Sequence, residues 1–170
     1  MWEEATRTPL IMIVPPATSK VVPSGTPIGV ECGVPVSLMD LYPTLVELCS
    51  LPQRSDIAGR SLVPLLVDPA TRWDHAVVTT FGRGNHAVRD YRWRYIRYKD
   101  GRQELYDHQA DPTEWHNLAD SDTHRDVIER LAKYLPKDEA VAAARSKPRS
   151  NKARQKRPAG RRLPRKVRSP

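Results

Sequence analysis

Lys99-Asp-Gly-Arg102 separates two short runs, Trp93–Tyr98 and Gln103–Tyr106, in which apolar and polar side chains alternate. Asp-Gly between alternating runs is a strong short-range signal for a hairpin, because glycine accepts the positive φ that the tight turn demands. Val77–Thr80 and His86–Arg89 are further runs of this kind, joined through the glycine-flanked Gly82-Arg-Gly-Asn-His86. Together they predict a small antiparallel sheet. Arg92, Arg94 and Arg97 interleave with Tyr91, Trp93, Tyr95 and Tyr98, and period-two alternation predicts one strand face that buries rings and one that is solvated. Asp122–Leu135 follows with Val127, Ile128, Leu131 and Leu135 on one helical face, and Asp122 at the position of a cap. That helix is expected to cover one face of the sheet.

Upstream the pattern differs. Pro9-Leu-Ile-Met-Ile-Val14 is a continuous apolar run bounded by prolines, as in a strand buried on both faces. Without partners its edges would be open, an aggregation hazard. Residues 15–35 are rich in Pro, Gly, Ser and Thr and predict a loop. In the helix that follows, Leu41, Leu45, Leu48 and Cys49 fall on one face, and Pro43 fits only in the first turn, where its missing N–H costs nothing. Asp40 then sits where exposed helix N–H groups favour a carboxylate, which makes it a cap and not a catalyst.

Charge divides the 170 residues. From Arg145 to Pro170 there are twelve Lys and Arg and no acid, so the formal net charge of +8 leaves −4 for residues 1–144. The basic character belongs to the tail, which has no periodic apolar residues and is expected to be disordered. A polyanion-binding arm is one role open to it. No apolar run approaches the eighteen or so residues of a membrane span. Met1-Trp-Glu-Glu is acidic and lacks the charged start and apolar stretch of a signal peptide.

Glu104-Leu-Tyr-Asp-His-Gln-Ala-Asp-Pro-Thr-Glu-Trp-His-Asn-Leu-Ala119 resembles a sulfatase C-terminus. Val36-Ser-Leu-Met-Asp-Leu-Tyr-Pro-Thr-Leu-Val-Glu-Leu-Cys-Ser-Leu-Pro52, Met1–Leu10, Gly84–Arg89 and Trp93–Tyr98 resemble the same family in the same order, over roughly residues 1 to 135, and are most similar to the iduronate-2-sulfatase type. Gly59–Leu66 resembles the family's docked Gly-x-Ser-Leu-x-Pro-Leu segment, whose role is packing. The resemblance implies the C-terminal part of an alkaline-phosphatase-like α/β sulfatase fold. Residues 1–75 would end the large α/β domain, with Pro9–Val14 in its mixed sheet. Residues 76–144 would form the antiparallel sheet-and-helix subdomain and 145–170 the basic tail. It implies a sulfuric ester hydrolase acting on a sulfated, glycosaminoglycan-like sugar such as iduronate 2-sulfate, using calcium and a formylglycine made from Cys-x-Pro-x-Arg or Ser-x-Pro-x-Arg.

Neither cysteine fits that motif. Cys32 is followed by Gly-Val-Pro-Val and Cys49 by Ser-Leu-Pro-Gln, so each has its proline at the third position after Cys instead of the second and neither has arginine at the fourth. No catalytic residue is assigned. The family's calcium ligands lie upstream of the matching segment, so no metal ligand is assigned either. A chain without nucleophile and metal is expected to be inert alone. The missing leader, set beside exported or lysosomal relatives, fits a truncated reading frame and leaves localisation unassigned.

Asn85 and His86 are the substrate-binding candidates, because a glycine-flanked polar loop entering a strand presents side chains from a rigid scaffold, and related sulfatases lend such loops to the pocket rim. The alternative for His86 is a histidine satisfied at the sheet edge. Asp107, Asp111 and Glu114 are the nearest approach to a calcium set, but Asp-Pro turn chemistry accounts for them better. Cys32 and Cys49 can bridge across about seventeen residues if the protein is exported, a closure worth roughly 3 kcal/mol. The alternative is two reduced thiols, Cys49 on a buried helix face. His75, His108, His116 and His124 show no metal spacing. The Arg and aromatic alternation of residues 91–98 superficially suggests a nucleic-acid platform, but Asp90 and Asp100 argue against a phosphate groove. The rival to the hydrolase is a non-enzymatic polyanion-binding protein acting through its tail.

Overall fold

In the computed structural model of the chain, residues 1–15, 21–23, 26 and 28–137 are described; the tail expected to be disordered lies outside them. Strands β1 (Val77–Thr80), β2 (His86–Arg89), β3 (Trp93–Arg97) and β4 (Gln103–Asp107) form one sheet in the order β1-β2-β3-β4, each neighbouring pair antiparallel. This is the sheet the alternating runs predict, with β3 ending one residue early and β4 one residue late. The Asp-Gly turn closes as a three-residue loop: Tyr98 N donates to Arg102 O at 2.9 Å, Gly101 N to Tyr98 O at 3.0 Å, and Gly101 takes φ +89°.

Register aligns Val78, Val88, Tyr95 and Leu105 in one row across the four strands. With Ala76 and Trp93 they pack against Leu131 and Leu135, and Leu118, Val127 and Ile128 close the margins. Leu131 lies on α4 (Arg125–Ala132) and is fully buried. Replacing Leu131 by Ala should therefore cost about 2 to 5 kcal/mol in urea unfolding, and the partly buried Ile128 less. A loss under about 0.5 kcal/mol at Leu131 would contradict this packing. Asp122 is not the expected cap: it starts a 3-10 turn (Asp122–His124), makes no capping bond, and pairs with Arg125 at 2.5 Å.

The opposite face is not solvated as the alternation predicts. Ala87, Ile96 and Tyr106 form a second buried cluster there with Met1 and Tyr98 packed on it. The N-terminal segment and α1 (Glu3–Thr6) supply the cover. Trp2 Nε1 donates to Glu104 Oε2 at 2.9 Å, and Arg94 Nη1 donates to Met1 O at 3.0 Å and Thr6 Oγ1 at 3.1 Å. Arg94 is buried because this segment brings it acceptors; alternation alone cannot reveal them.

Upstream, α2 (Leu41–Leu48) begins after a 3-10 turn at Leu38–Asp40, with Pro43 in its first turn. Asp40 is fully buried. Its Oδ2 accepts Ser37 N at 2.7 Å, completing a capping box, and its Oδ1 accepts Arg60 N at 2.8 Å. The cap therefore also docks the Gly59–Leu66 loop, and Thr44 Oγ1 accepts Leu62 N at 2.8 Å. A Cβ at Gly59 would lie 2.3 Å from Met39 O, so this approach needs glycine. α3 (Val63–Val67) completes the docked segment, burying Val63 and Leu65. These bonds turn α2 so that Thr44, Val46 and Leu48 are buried while Leu45 and Cys49 are exposed, correcting the expected face. Pro9–Val14 forms no strand: Ile11 is 84% and Ile13 87% exposed, since among the described residues no other strand offers this run a ladder.

Candidate functional site

The β1–β2 loop and the β3–β4 turn lie at the same end of the sheet, as an antiparallel order requires. Phe81 N donates to Asn85 O at 3.0 Å, which closes the first loop. The Asn85 side chain donates to Phe81 O at 3.1 Å, and its Oδ1 accepts Lys99 N at 3.1 Å. One amide thus holds its own loop and ties it to the next hairpin. His86 is buried in β2 with Nδ1 2.9 Å from Thr80 Oγ1, and its partners across the sheet are Thr80 and Arg97.

Between the two loops runs an open groove of about 510 Å³ lined by Arg83, Gly84, Arg97, Tyr98, Lys99 and Gly101. Among the described residues its lining includes Arg97 and Lys99 and no carboxylate. The nearest acids along the chain are engaged elsewhere: Asp100 with Arg102 at 2.8 Å, and Glu104 with Trp2, Tyr98 and Tyr106. Burial, then the negative charge and hydrogen bond of Glu104, pushes the Tyr98 phenol up to about 12, so it stays neutral. At the other end of the sheet a groove of about 430 Å³ lined by Trp73, Tyr91, Trp93 and Tyr134 holds cations that are already paired. Arg92 forks onto Asp107 at 2.9 and 2.5 Å, and Arg130 meets Asp90 at 2.8 Å.

Glu3, His108 and Glu114 place one donor atom each within 4.8 Å of one another, on the face covered by α1. Arg94 occupies that centre. Its Nε lies 2.6 Å from Glu114 Oε1, its Nη2 pairs with Glu3, and His108 Nε2 lies 2.8 Å from the same Glu114 oxygen. Glu114 Oε2 also accepts Glu3 N at 2.8 Å. A guanidinium among the carboxylates leaves no cage for a hard dication that wants six to eight oxygens, so these residues do not fit calcium. The set suggested by sequence fits no better. Asp107 is taken by Arg92, and Asp111 accepts His116 N at 2.7 Å inside its turn, the role its Asp-Pro context predicts. The Arg92 hydrogen bond holds the Asp107 carboxyl below the usual carboxylate range.

Cys32 and Cys49 are both free and exposed, with Cys32 Sγ 3.6 Å from Pro69 O. His124 packs obliquely on Trp93, with ring centroids 5.3 Å apart.

Residues 1–140 match the model of one protein family, described as N-sulphoglucosamine sulphohydrolase, C-terminal. The chain belongs to that sulfatase C-terminal family. A "Sulfatase" of Formosa agariphila is 36% identical over 146 residues, 86% of this chain and 27% of that protein. "Arylsulfatase K" of Danio rerio is 29% identical over 147 residues, covering 79% of this chain and 26% of its own length. The crystal structure of Ps i-CgsB in complex with k-i-k-neocarrahexaose superposes with a TM-score of 0.50 at 20% identity, over 58% of this chain and 23% of that one. At that identity the likeness shows a shared fold. The sulfatase C-terminal chain thus spans about a quarter of the length of these curated relatives.

Within this domain, sequence reasoning singled out Asn85 and His86 but passed over the partners of their loop. Arg97 and Lys99 join the groove through the register that sets Arg97 opposite His86. Glu3 and His108, 105 positions apart in sequence, meet at Arg94 only through the docking of α1. Neither juxtaposition has a spacing signature.

Proposed function

We propose that this chain is the C-terminal part of a sulfuric ester hydrolase acting on sulfated sugars, and that it contributes substrate contacts through its β1–β2 loop while the attacking group and metal ligands come from other residues. The observation that carries this reading is a match to the sulfatase C-terminal family spanning residues 1–140, in a sequence whose two cysteines head no Cys-x-Pro-x-Arg. The resemblance of its motif blocks to the iduronate-2-sulfatase type makes a 2-sulfated uronate the first substrate to try. In such an enzyme formylglycine would supply the nucleophile and calcium the charge stabilisation.

Asn85 and His86 are proposed at the rim of the sugar pocket. Asn85 sets the loop's shape, and the buried His86 supports it from beneath through its contact with Thr80. The test is made in an enzyme completed with the catalytic portion of a sulfatase relative. His86→Ala should lower turnover of a sugar sulfate about tenfold more than turnover of a small aryl sulfate, because a residue that shapes the rim loop acts on the sugar and not on the reacting sulfur. Equal losses on both substrates would remove His86 from recognition and leave it a packing residue.

A further inference from the structure

We propose that the groove between the two hairpin loops is a subsite for a second anionic group, sulfate or carboxylate, on a sulfated sugar chain, with Arg97 and Lys99 as its charged donors. That the ligand is a sugar rests on the sulfatase reading above; that it is an anion rests on the groove itself.

Arg97 is half-buried, yet its guanidinium makes no hydrogen bond or ion pair among the described residues. The other strand arginines, Arg89 and Arg94, are both paired with Glu3. Arginine withdrawn from water is ordinarily partnered, so an unpartnered one in a groove is a binding group whose partner comes from outside. Its neighbours across the sheet offer no substitute: they are His86 and Gln103, and Gln103 Oε1 already accepts the Tyr95 hydroxyl at 2.8 Å.

Lys99 lines the same space, so two cations face it and the planar fork of Arg97 is available to two oxygens of one anion. The backbone that carries Lys99 is held in place before any ligand arrives. Asn85 anchors Lys99 N, and an ideal Cβ at Gly84 would sit 3.0 Å from the Lys99 β-carbon, so the two loops are packed against each other. The volume of about 510 Å³ suits a small ligand and far exceeds a lone ion. Nucleic acid fits less well, because the one lining aromatic, Tyr98, is engaged with Glu104 and offers no stack of rings.

The test titrates the full 170-residue chain with D-glucosamine-2-N,6-O-disulfate and with unsulfated glucosamine, following backbone amides by NMR. The disulfate should shift Gly84, Lys99 and Gly101 saturably and the neutral sugar should not. Arg97→Gln and Lys99→Gln should each weaken the response about tenfold, the scale of one charge-assisted contact. Arg102→Gln, which removes a cation already paired outside the groove, is the control. Unshifted Val88 and Leu105 amides report an intact sheet, and the exposed Lys99 carries the test if Arg97→Gln disturbs it. Shifts confined to the basic tail, or an affinity indifferent to both substitutions, would overturn the subsite. Failure of the sulfatase reading shows differently, as a completed enzyme that releases no sulfate while the groove still binds.

Discussion

Purified residues 1–170 should release no sulfate from aryl or sugar sulfates above a buffer blank, with or without calcium. Sulfate ester cleavage needs an activated nucleophile and stabilisation of developing charge. Neither cysteine heads a Cys-x-Pro-x-Arg, and the Ser-x-Pro-x-Arg of Ser50-Leu-Pro-Gln-Arg54 lies exposed just past α2, outside the one three-donor cluster among the described residues. Among the described residues the three-donor cluster that could hold a metal is Glu3, His108 and Glu114, with Arg94 already inside it. Losing both contributions removes many powers of ten of rate enhancement, so the assay is one of presence against absence. Joining the chain to the catalytic portion of a sulfatase relative, by fusion or co-expression, should restore turnover. Calcium-dependent turnover by the 170 residues alone would overturn the assignment of chemistry to other residues, and a folded fusion without activity would count against the sulfatase reading.

Glu114→Gln should destabilise the protein by about 3 to 5 kcal/mol, the usual cost of leaving one member of a buried ion pair alone. Arg94 and Glu114 side chains are each 3% exposed, and Glu114 also faces His108 and Glu3 N. Against a typical domain stability of about 5 to 15 kcal/mol, the variant would sit near its unfolding threshold. Arg94→Met combined with Glu114→Leu should cost less than the sum of the single changes, because it removes both charges together. Urea midpoints for the four members of the cycle decide it, and additive single losses would show that the pair is not coupled.

The same network has an acid limb. Burial pushes the Glu3 carboxyl up, but Arg94 and then Arg89 outweigh it and hold it below its usual value of 4.5. A depressed carboxylate contributes stability that is fully present above 4.5 and is lost as pH falls through the lower folded value. Unfolding on acidification should therefore be shallower in Glu3→Gln below about pH 4.5.

The sheet was legible because its signals are local. An Asp-Gly turn and period-two alternation report on neighbouring residues, and the four strands appear within one residue of the bounds those patterns predict. The amphipathic spacing of Leu131 and Leu135 likewise survives into the core. Local patterns misled where tertiary partners decide. Pro9–Val14 reads as a buried strand from composition, but a strand exists only when another backbone accepts its hydrogen bonds. The α2 apolar spacing reads as one buried face, but Asp40 and Thr44, bonded to the Gly59–Leu66 loop, set a different rotation.

The sequence by itself thus determined the antiparallel sheet, its covering helix, the charge division at Arg145, the sulfatase likeness and the lack of a Cys-x-Pro-x-Arg at either cysteine. Each is written in contiguous residues. Only the tertiary structure decided that Arg94 would be buried among Glu3, His108 and Glu114, and that Arg97 and Lys99 would share a cationic groove with the Asn85 loop. Those arrangements depend on strand register and on the docking of residues about a hundred positions apart. The energies that set them come from burying one particular pair of surfaces, and no short window of sequence contains both.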